Sequence, residues 1–393
     1  MRVPNSMEFE CPVKIHCGDR ALNHIPFELR AIGSAKPLVI GDEAATRENR
    51  MAAVLNACRD ADMTMGMVED VPLADMPDSL LQLAAIYRDK DCDAIVAVGQ
   101  ETFMDLAKAL NLLLSTGADT LAPLADGQTV PRTLNPLAVI PAASADGFEA
   151  SGYLHFEGHT LRSVHLMPQL LFLDPRATGR PDDEAMVATA LNALTNGVEA
   201  YFGVDTNPIK AIYARPATLL ATEALCVLAG RGTRDADLAM TVTHAAALGG
   251  CALGGDRLST THCLAQAIAA TGKASEAQAK GVLLSYVLEQ RVLEGAMNVD
   301  VLLSLAGGND RFARTPEHQR GPAAIYFIRS LINQLFETSD GKIGRTLQDI
   351  GLTRSALAAI AKSACADDTH ENPEVFETIL THAWEGRPFG CMT

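Results

Sequence analysis

Hydrophobic positions in the first part of the chain follow two rhythms that alternate. Short, mainly apolar runs stand at Pro37–Asp42 (PLVIGD), Asp93–Gly99 (DAIVAVG), Pro136–Pro141 (PLAVIP) and Leu170–Pro175 (LLFLDP), and Met63–Asp70 (MTMGMVED) reads as a further strand. Bounded by turn residues, they read as strands. Between them TRENRMAAVLNACRDA, DSLLQLAAIYRDK and TFMDLAKALNLLL carry apolar residues at helical spacing, with Asp78 and Thr102 placed as caps. Strands that alternate with helices specify a parallel sheet covered on both faces. A different pattern enters at ASGYLHFEGHTLRSVH, which alternates on either side of EGHT and predicts a β-hairpin.

From RPDDEAMVATALNAL onward nearly every segment has helical period. Pro181, Asp182, Asp183 and Glu184 put a proline and acids into a helix's first turn. The pattern predicts a Rossmann-like α/β domain over residues 1–178 and an all-α domain of seven to nine helices over 179–393, with the boundary between Asp174 and Pro181. No internal repeat or low-complexity segment interrupts it.

Composition narrows the function classes. The 393 residues suit two domains. The content is 48% hydrophobic and 20% charged, as in soluble globular proteins. A net charge of −16 without any Lys/Arg run argues against a nucleic-acid partner. Nine scattered cysteines form no CxxC pair, which argues against a disulfide framework or zinc ribbon and fits a reducing, cytoplasmic setting. The opening MRVPNSMEFECPVK has no apolar signal core, and no uninterrupted apolar run reaches membrane-spanning length, so no membrane partner is expected.

Several segments, in order, carry a resemblance. DAIVAVGQETFMDLAKAL looks like the strand–glycine loop–helix of the iron-containing alcohol dehydrogenases, whose loop reads GGGS and is followed by Asp-x-Ala-Lys. PLAVIPAASADGFEASGY is similar to their Ile-Pro-Thr-Thr segment, MPQLLFLDPRATGRPDDEAMVATALNALTNGVEAY to their Asp-Pro turn and metal helix, and GGDRLSTTHCLAQAIA to their first helical histidine pair. TLQDIGLTRSALAAIAKSACADD and NPEVFETILTHAWEG match their C-terminal segments. The resemblance spans nearly the whole chain and implies the dehydroquinate synthase-like fold, a nicotinamide cofactor, a small-molecule substrate and a homodimer. The wider superfamily also contains glycerol dehydrogenase, maleylacetate reductase and dehydroquinate synthase.

The departures from the family pattern fall on its chemistry. Relatives hold a divalent metal with an Asp and three His. Carried over position by position, these fall on Asn192, Asn196, His262 and Lys280, the last after a spacer about one helical turn longer than usual. Amide carbonyls are weak ligands and an ammonium repels a cation, so no tightly bound iron or zinc is expected. The GGGS loop falls on Gly99, Gln100, Glu101 and Thr102, while Asp105 and Lys108 persist. Glycines there let the backbone approach a pyrophosphate at a helix N-terminus, and Glu101 sets a carboxylate beside that place. Asp42, ending the first strand, is placed to accept from a ribose diol and would favour NAD over NADP. The nicotinamide segment keeps Ser144 and Asp146 but lacks most of its hydroxyls. HFEGH reads as a hairpin tip, His244 as structural, and no P-loop or Gly-x-Ser-x-Gly elbow is present.

Three functions stay open on this reading. One is an NAD(P)-dependent oxidoreductase on a small alcohol, aldehyde or ketone without a transition metal. In it Lys280 is the electrophile, His262 relays the proton, and Asn192 and Asn196 orient substrate hydroxyls. The others are a non-catalytic binding or regulatory protein, and a lyase or cyclase on a polyhydroxy or phosphorylated substrate.

Overall fold

The computed structural model describes residues 7–118, 120–121, 129–179, 181–203, 206–230, 234–255, 258–295, 299–364 and 372–390. Cys365, Cys391 and Arg180, which adjoins the expected domain boundary, lie outside the described residues, as do Asp256 and Arg257 of GGDRLSTTHCLAQAIA.

Six strands form one parallel sheet: β1 (Lys14–Cys17), β2 (Pro37–Asp42), β3 (Gly66–Val71), β4 (Ala94–Gly99), β5 (Leu137–Pro141) and β8 (Leu170–Leu173), in the order β1-β8-β5-β4-β2-β3. Every residue of β2, β4, β5 and β8 is buried, which is why these strands read as unbroken apolar runs rather than as alternations. Val39, Val96, Val98, Ile140 and Phe172 pack one core with Leu22, Ile25, Leu29, Val54 and Leu55. The intervening helices are α1 (Ile25–Ala31), α2 (Glu43–Arg47), α3 (Arg50–Asp60), α4 (Met76–Asp89), α5 (Glu101–Thr116) and the short α6 (Pro175–Thr178). The predicted hairpin is present as β6 (Tyr153–Phe156) and β7 (His159–Arg162), turned by Glu157 and Gly158, both at positive φ.

Beyond Pro181 the described residues are helical: α7 (Asp183–Phe202), α8 (Lys210–Ala229), α9 (Ala236–Leu253), α10 (Thr260–Ala269), α11 (Glu276–Leu293), α12 (Asp300–Gly307), α13 (Asn309–Arg314), α14 (Glu317–Thr338), α15 (Leu357–Ala364) and α16 (Pro373–Glu385). That is ten α-helices where the period of the sequence suggested seven to nine. The surplus comes from short pieces such as α13, six residues long.

Contacts divide the chain into two compact units. The sheet unit takes Pro4–Met186 together with Asp235–Asp256, so α9 folds with the sheet although the sequence placed it in the helical half. A glycine explains how closely it packs: a Cβ on Gly250 of α9 would lie 1.8 Å from the carbonyl oxygen of Gly147. The helical unit takes Val187–Arg234 and Arg257–Thr393. One of its cores joins α10, α11, α15 and α16 through Leu264, Leu283, Ile360 and Phe376. α8 and α9 have the length and mean hydropathy of membrane spans, but half and two thirds of their apolar windows are buried inside the protein, as befits core helices.

Candidate functional site

In the helical unit, α7 sets Asn192, Asn196 and Glu199 on one side, spaced four and three residues apart. His262, the third residue of α10, is fully buried against them. Its Nε2 lies 2.8 Å from Asn196 Oδ1. Its Nδ1 lies 2.7 Å from Glu199 Oε2 and 2.9 Å from Ser259 Oγ. Asn192 is 6% exposed, and its Oδ1 meets no donor among the described residues.

Lys280 belongs to α11 and is likewise fully buried. Its Nζ is 2.6 Å from Glu276 Oε1, one turn earlier. A Cβ on the next residue, Gly281, would come within 2.9 Å of Leu191 Cδ1, so α11 presses on α7 beside Asn192. Glu276 escaped the reading of the sequence. The structure starts α11 at Glu276 under a Ser275/Gln278 capping box. The Ser-x-x-Gln spacing was the available signal, together with a Glu four residues before a Lys.

These residues do not fit a divalent iron. Both ring nitrogens of His262 already face partners, the two α7 ligand positions offer neutral amides, and a buried ammonium stands at the remaining one. Among the described residues, no group of three or more His, Cys, Asp or Glu side chains is placed to hold a metal ion.

The altered nucleotide loop lies in the sheet unit. Gly99 ends β4, and a Cβ there would meet Phe103 Cδ1 at 2.6 Å and Asp42 Oδ2 at 2.7 Å, so a larger residue would have to displace one of these side chains. Gln100, Glu101 and Thr102 are exposed at the start of α5, which has no side-chain cap. The positive end of the α5 dipole thus meets no cap from the Gln100 side chain. Asp42 departs from the role the sequence gave it. It is 2% exposed, and its oxygens accept from Ala45 N at 2.6 Å and Gln100 N at 2.8 Å. It caps α2 and clamps the loop instead of presenting an open carboxylate to a ribose.

Asp105 and Lys108 also turn inward. Asp105 Oδ1 accepts from His155 N of β6 at 3.1 Å. Lys108 is buried and donates to the carbonyls of Phe148, Ser151 and Tyr153 at 2.6, 2.8 and 2.8 Å. The persistent part of the motif therefore anchors the 148–153 loop. Ser144 is half-buried in the turn before it, and Asp146 is buried with Oδ1 accepting from Phe148 N at 2.8 Å. Of the residues singled out in the sequence, the helical unit gathers Asn196 of α7 and His262 of α10 directly, with Asn192 also on α7 and Lys280 on α11 packed beside it. The sheet unit gathers Asp42, Gly99 and Gln100, and keeps Ser144 and Asp146 in a separate turn.

The wider comparisons agree with this architecture. The description "iron-containing alcohol dehydrogenase" matches residues 12–175, and the C-terminal part of the same family matches residues 186–379. Long-chain-alcohol dehydrogenase 1 of Geobacillus thermodenitrificans is 24% identical over 360 residues, covering 90% of this chain and 89% of that one. Maleylacetate reductase of Sphingobium indicum is 24% identical over 388 residues, covering 96% and 97%. Among solved structures, a 1,3-propanediol oxidoreductase superposes with a TM-score of 0.83 at 19% identity over 97% of this chain and 100% of that one. An alcohol dehydrogenase from Oenococcus oeni gives 0.82 at 19% over 96% and 100%. The chain belongs to the iron-containing alcohol dehydrogenase family, a family of alcohol dehydrogenase-type oxidoreductases.

Proposed function

We propose that this protein interconverts a small alcohol and its aldehyde or ketone with an NAD-type cofactor and without a transition metal. The observation that carries the reading is the buried Lys280 ammonium, paired with Glu276 on a helix pressed against the His262 cluster. Carbonyl reduction builds negative charge on oxygen, and a positive group fixed in a dry site stabilises that charge far better than water does. A bound nicotinamide dinucleotide would supply the hydride. As the carbonyl carbon gains that hydride, the C=O π pair moves to oxygen. Lys280 stabilises the developing alkoxide, and Nε2 of His262 gives it a proton. Asn192 Oδ1, the buried acceptor left open, orients a substrate hydroxyl. The uncapped start of α5 is the proposed pyrophosphate seat. We further propose a cytoplasmic homodimer, which sedimentation at micromolar protein concentration would check.

The test pairs chelation with one substitution. Lys280→Met keeps the shape of the side chain and leaves Glu276 23% exposed, able to reach solvent. Removing one preorganised electrostatic partner costs about 100- to 1,000-fold in kcat. We expect that loss in Lys280→Met, and wild-type turnover unchanged after exhaustive EDTA treatment. Turnover abolished by EDTA and restored by Fe²⁺ or Zn²⁺ would disprove the metal-free mechanism. Full activity in Lys280→Met would remove Lys280 from it.

A further inference from the structure

We infer that Glu199 is the positioning residue of the helical site: it fixes the His262 ring with its proton on Nδ1 and leaves Nε2 as the nitrogen that exchanges protons. The kinetic consequence rests on the role proposed above for His262; the geometric one does not.

The argument starts at the N-terminus of α10. Ser259 occupies the N-cap position, yet its side chain caps no backbone N–H. Its hydroxyl lies against His262 Nδ1 instead. The Thr261 N–H that a cap would serve donates to Glu199 Oε1 at 3.3 Å, across from α7. Glu199 thus supplies from another helix what Ser259 would ordinarily supply within this one. A carboxylate at a helix N-terminus is favoured by the aligned peptide dipoles. With Oε1 on Thr261 N and Oε2 2.7 Å from Nδ1, the carboxylate is held at both oxygens. An ionised carboxylate can only accept, so Nδ1 must be the donor. The ring is fully buried and gripped at both edges, so the Glu199 bond keeps the Nδ1 proton in place and fixes the ring's angle together. Nε2 lies 2.8 Å from Asn196 Oδ1, which also can only accept, so the proton that the ring gives up is the one on Nε2, on the face of α7 that also carries Asn192.

Nuclear magnetic resonance on the full-length protein with ¹⁵N-labelled histidine reads this directly. Ten histidines are few enough to resolve, and His262→Asn assigns the ring by loss of its signal. In the wild type we expect a protonated Nδ1 with a strongly downfield proton. Glu199→Gln keeps the shape and an oxygen for Thr261 N–H but removes the charge. We expect that variant to keep its fold, lose the downfield proton, and lower kcat by roughly ten- to a hundredfold with KM little changed, the size typical of lost orienting partners. An unprotonated Nδ1 in the wild type, or a ring spectrum unaltered in Glu199→Gln, would overturn the inference. A wild type that turns over no alcohol would instead sink the proposed function, and the ring spectrum would still decide the role of Glu199.

Discussion

Glu149 and Lys108 show how one buried pair divides its charge. Burial, and then the Asp146 carboxylate, push the Glu149 carboxyl far above its ordinary value. Its Oε2 accepts from Gly147 N at 2.9 Å, while its buried Oε1 meets no donor among the described residues. That environment suits a neutral acid. Burial also pulls Lys108 down, against the upward effect of Asp105, Glu149 and Asp146. Three carbonyl acceptors around Nζ nonetheless need three N–H donors, and only the ammonium has three. The upward shift of Glu149 is therefore the direction that geometry supports. A carboxyl whose folded value is raised contributes its full stability below its unfolded value, near 4.5, and loses it as pH climbs toward the folded value. Wild type should then lose stability relative to Glu149→Gln as pH rises from about 5 to 8, by at most about 1.4 kcal/mol per pH unit. Urea unfolding of both proteins across that range checks it, and parallel curves would mean that Glu149 is already ionised.

At the scale of elements, Gly250 carries the clearest prediction. Replacing a mid-helix glycine by alanine ordinarily gains about 1 kcal/mol. Here the added Cβ would sit 1.8 Å from the Gly147 carbonyl oxygen, which is backbone and cannot swing aside. Overpacking of that kind costs about 1–3 kcal/mol or more, enough to reverse the sign. Gly250→Ala should lower the urea midpoint, and a raised midpoint would show that α9 does not press on this loop. The same elements show what the sequence reveals. β2, β4, β5 and β8 are buried on every residue, and their unbroken apolar runs announced them. β1 is a short edge strand, KIHC, with no buried residue, so its composition carried no signal. Asp42 was legible as a carboxylate at a strand end, but capping a helix and binding a ribose ask for the same residue type, and only geometry separates them. Asn192 and Asn196 stood out by their spacing of four, and His262 through the family resemblance. Glu276 and Glu199 acquired meaning only once α7, α10 and α11 were packed together.

For the whole molecule, the deciding question is whether the sheet unit still takes a dinucleotide after Asp42, Asp105 and Lys108 have been committed to its scaffold. Two effects would oppose each other at the proposed seat: the helix dipole of α5 would attract a pyrophosphate, while the Glu101 carboxylate in the same first turn would repel it. A solvated carboxylate several ångströms away acts through water, where a unit charge pair is worth about 1 kcal/mol at 4 Å and less at physiological salt. Several backbone donors to one diphosphate exceed that, so binding should survive, weakened and sensitive to ionic strength. The net charge of −16 works in the same direction, slowing the approach of an anionic ligand without removing its seat. NADH at 100 times its dissociation constant should then stabilise the EDTA-treated protein by about 2.7 kcal/mol, a thermal shift of a few degrees for a chain of this size. Glu101→Gln should enlarge the shift at a given NADH concentration, most of all at low salt. A folded protein that responds to neither NADH nor NADPH, with or without Glu101, would mean that the loop takes no dinucleotide, and the proposed reaction would fall with it.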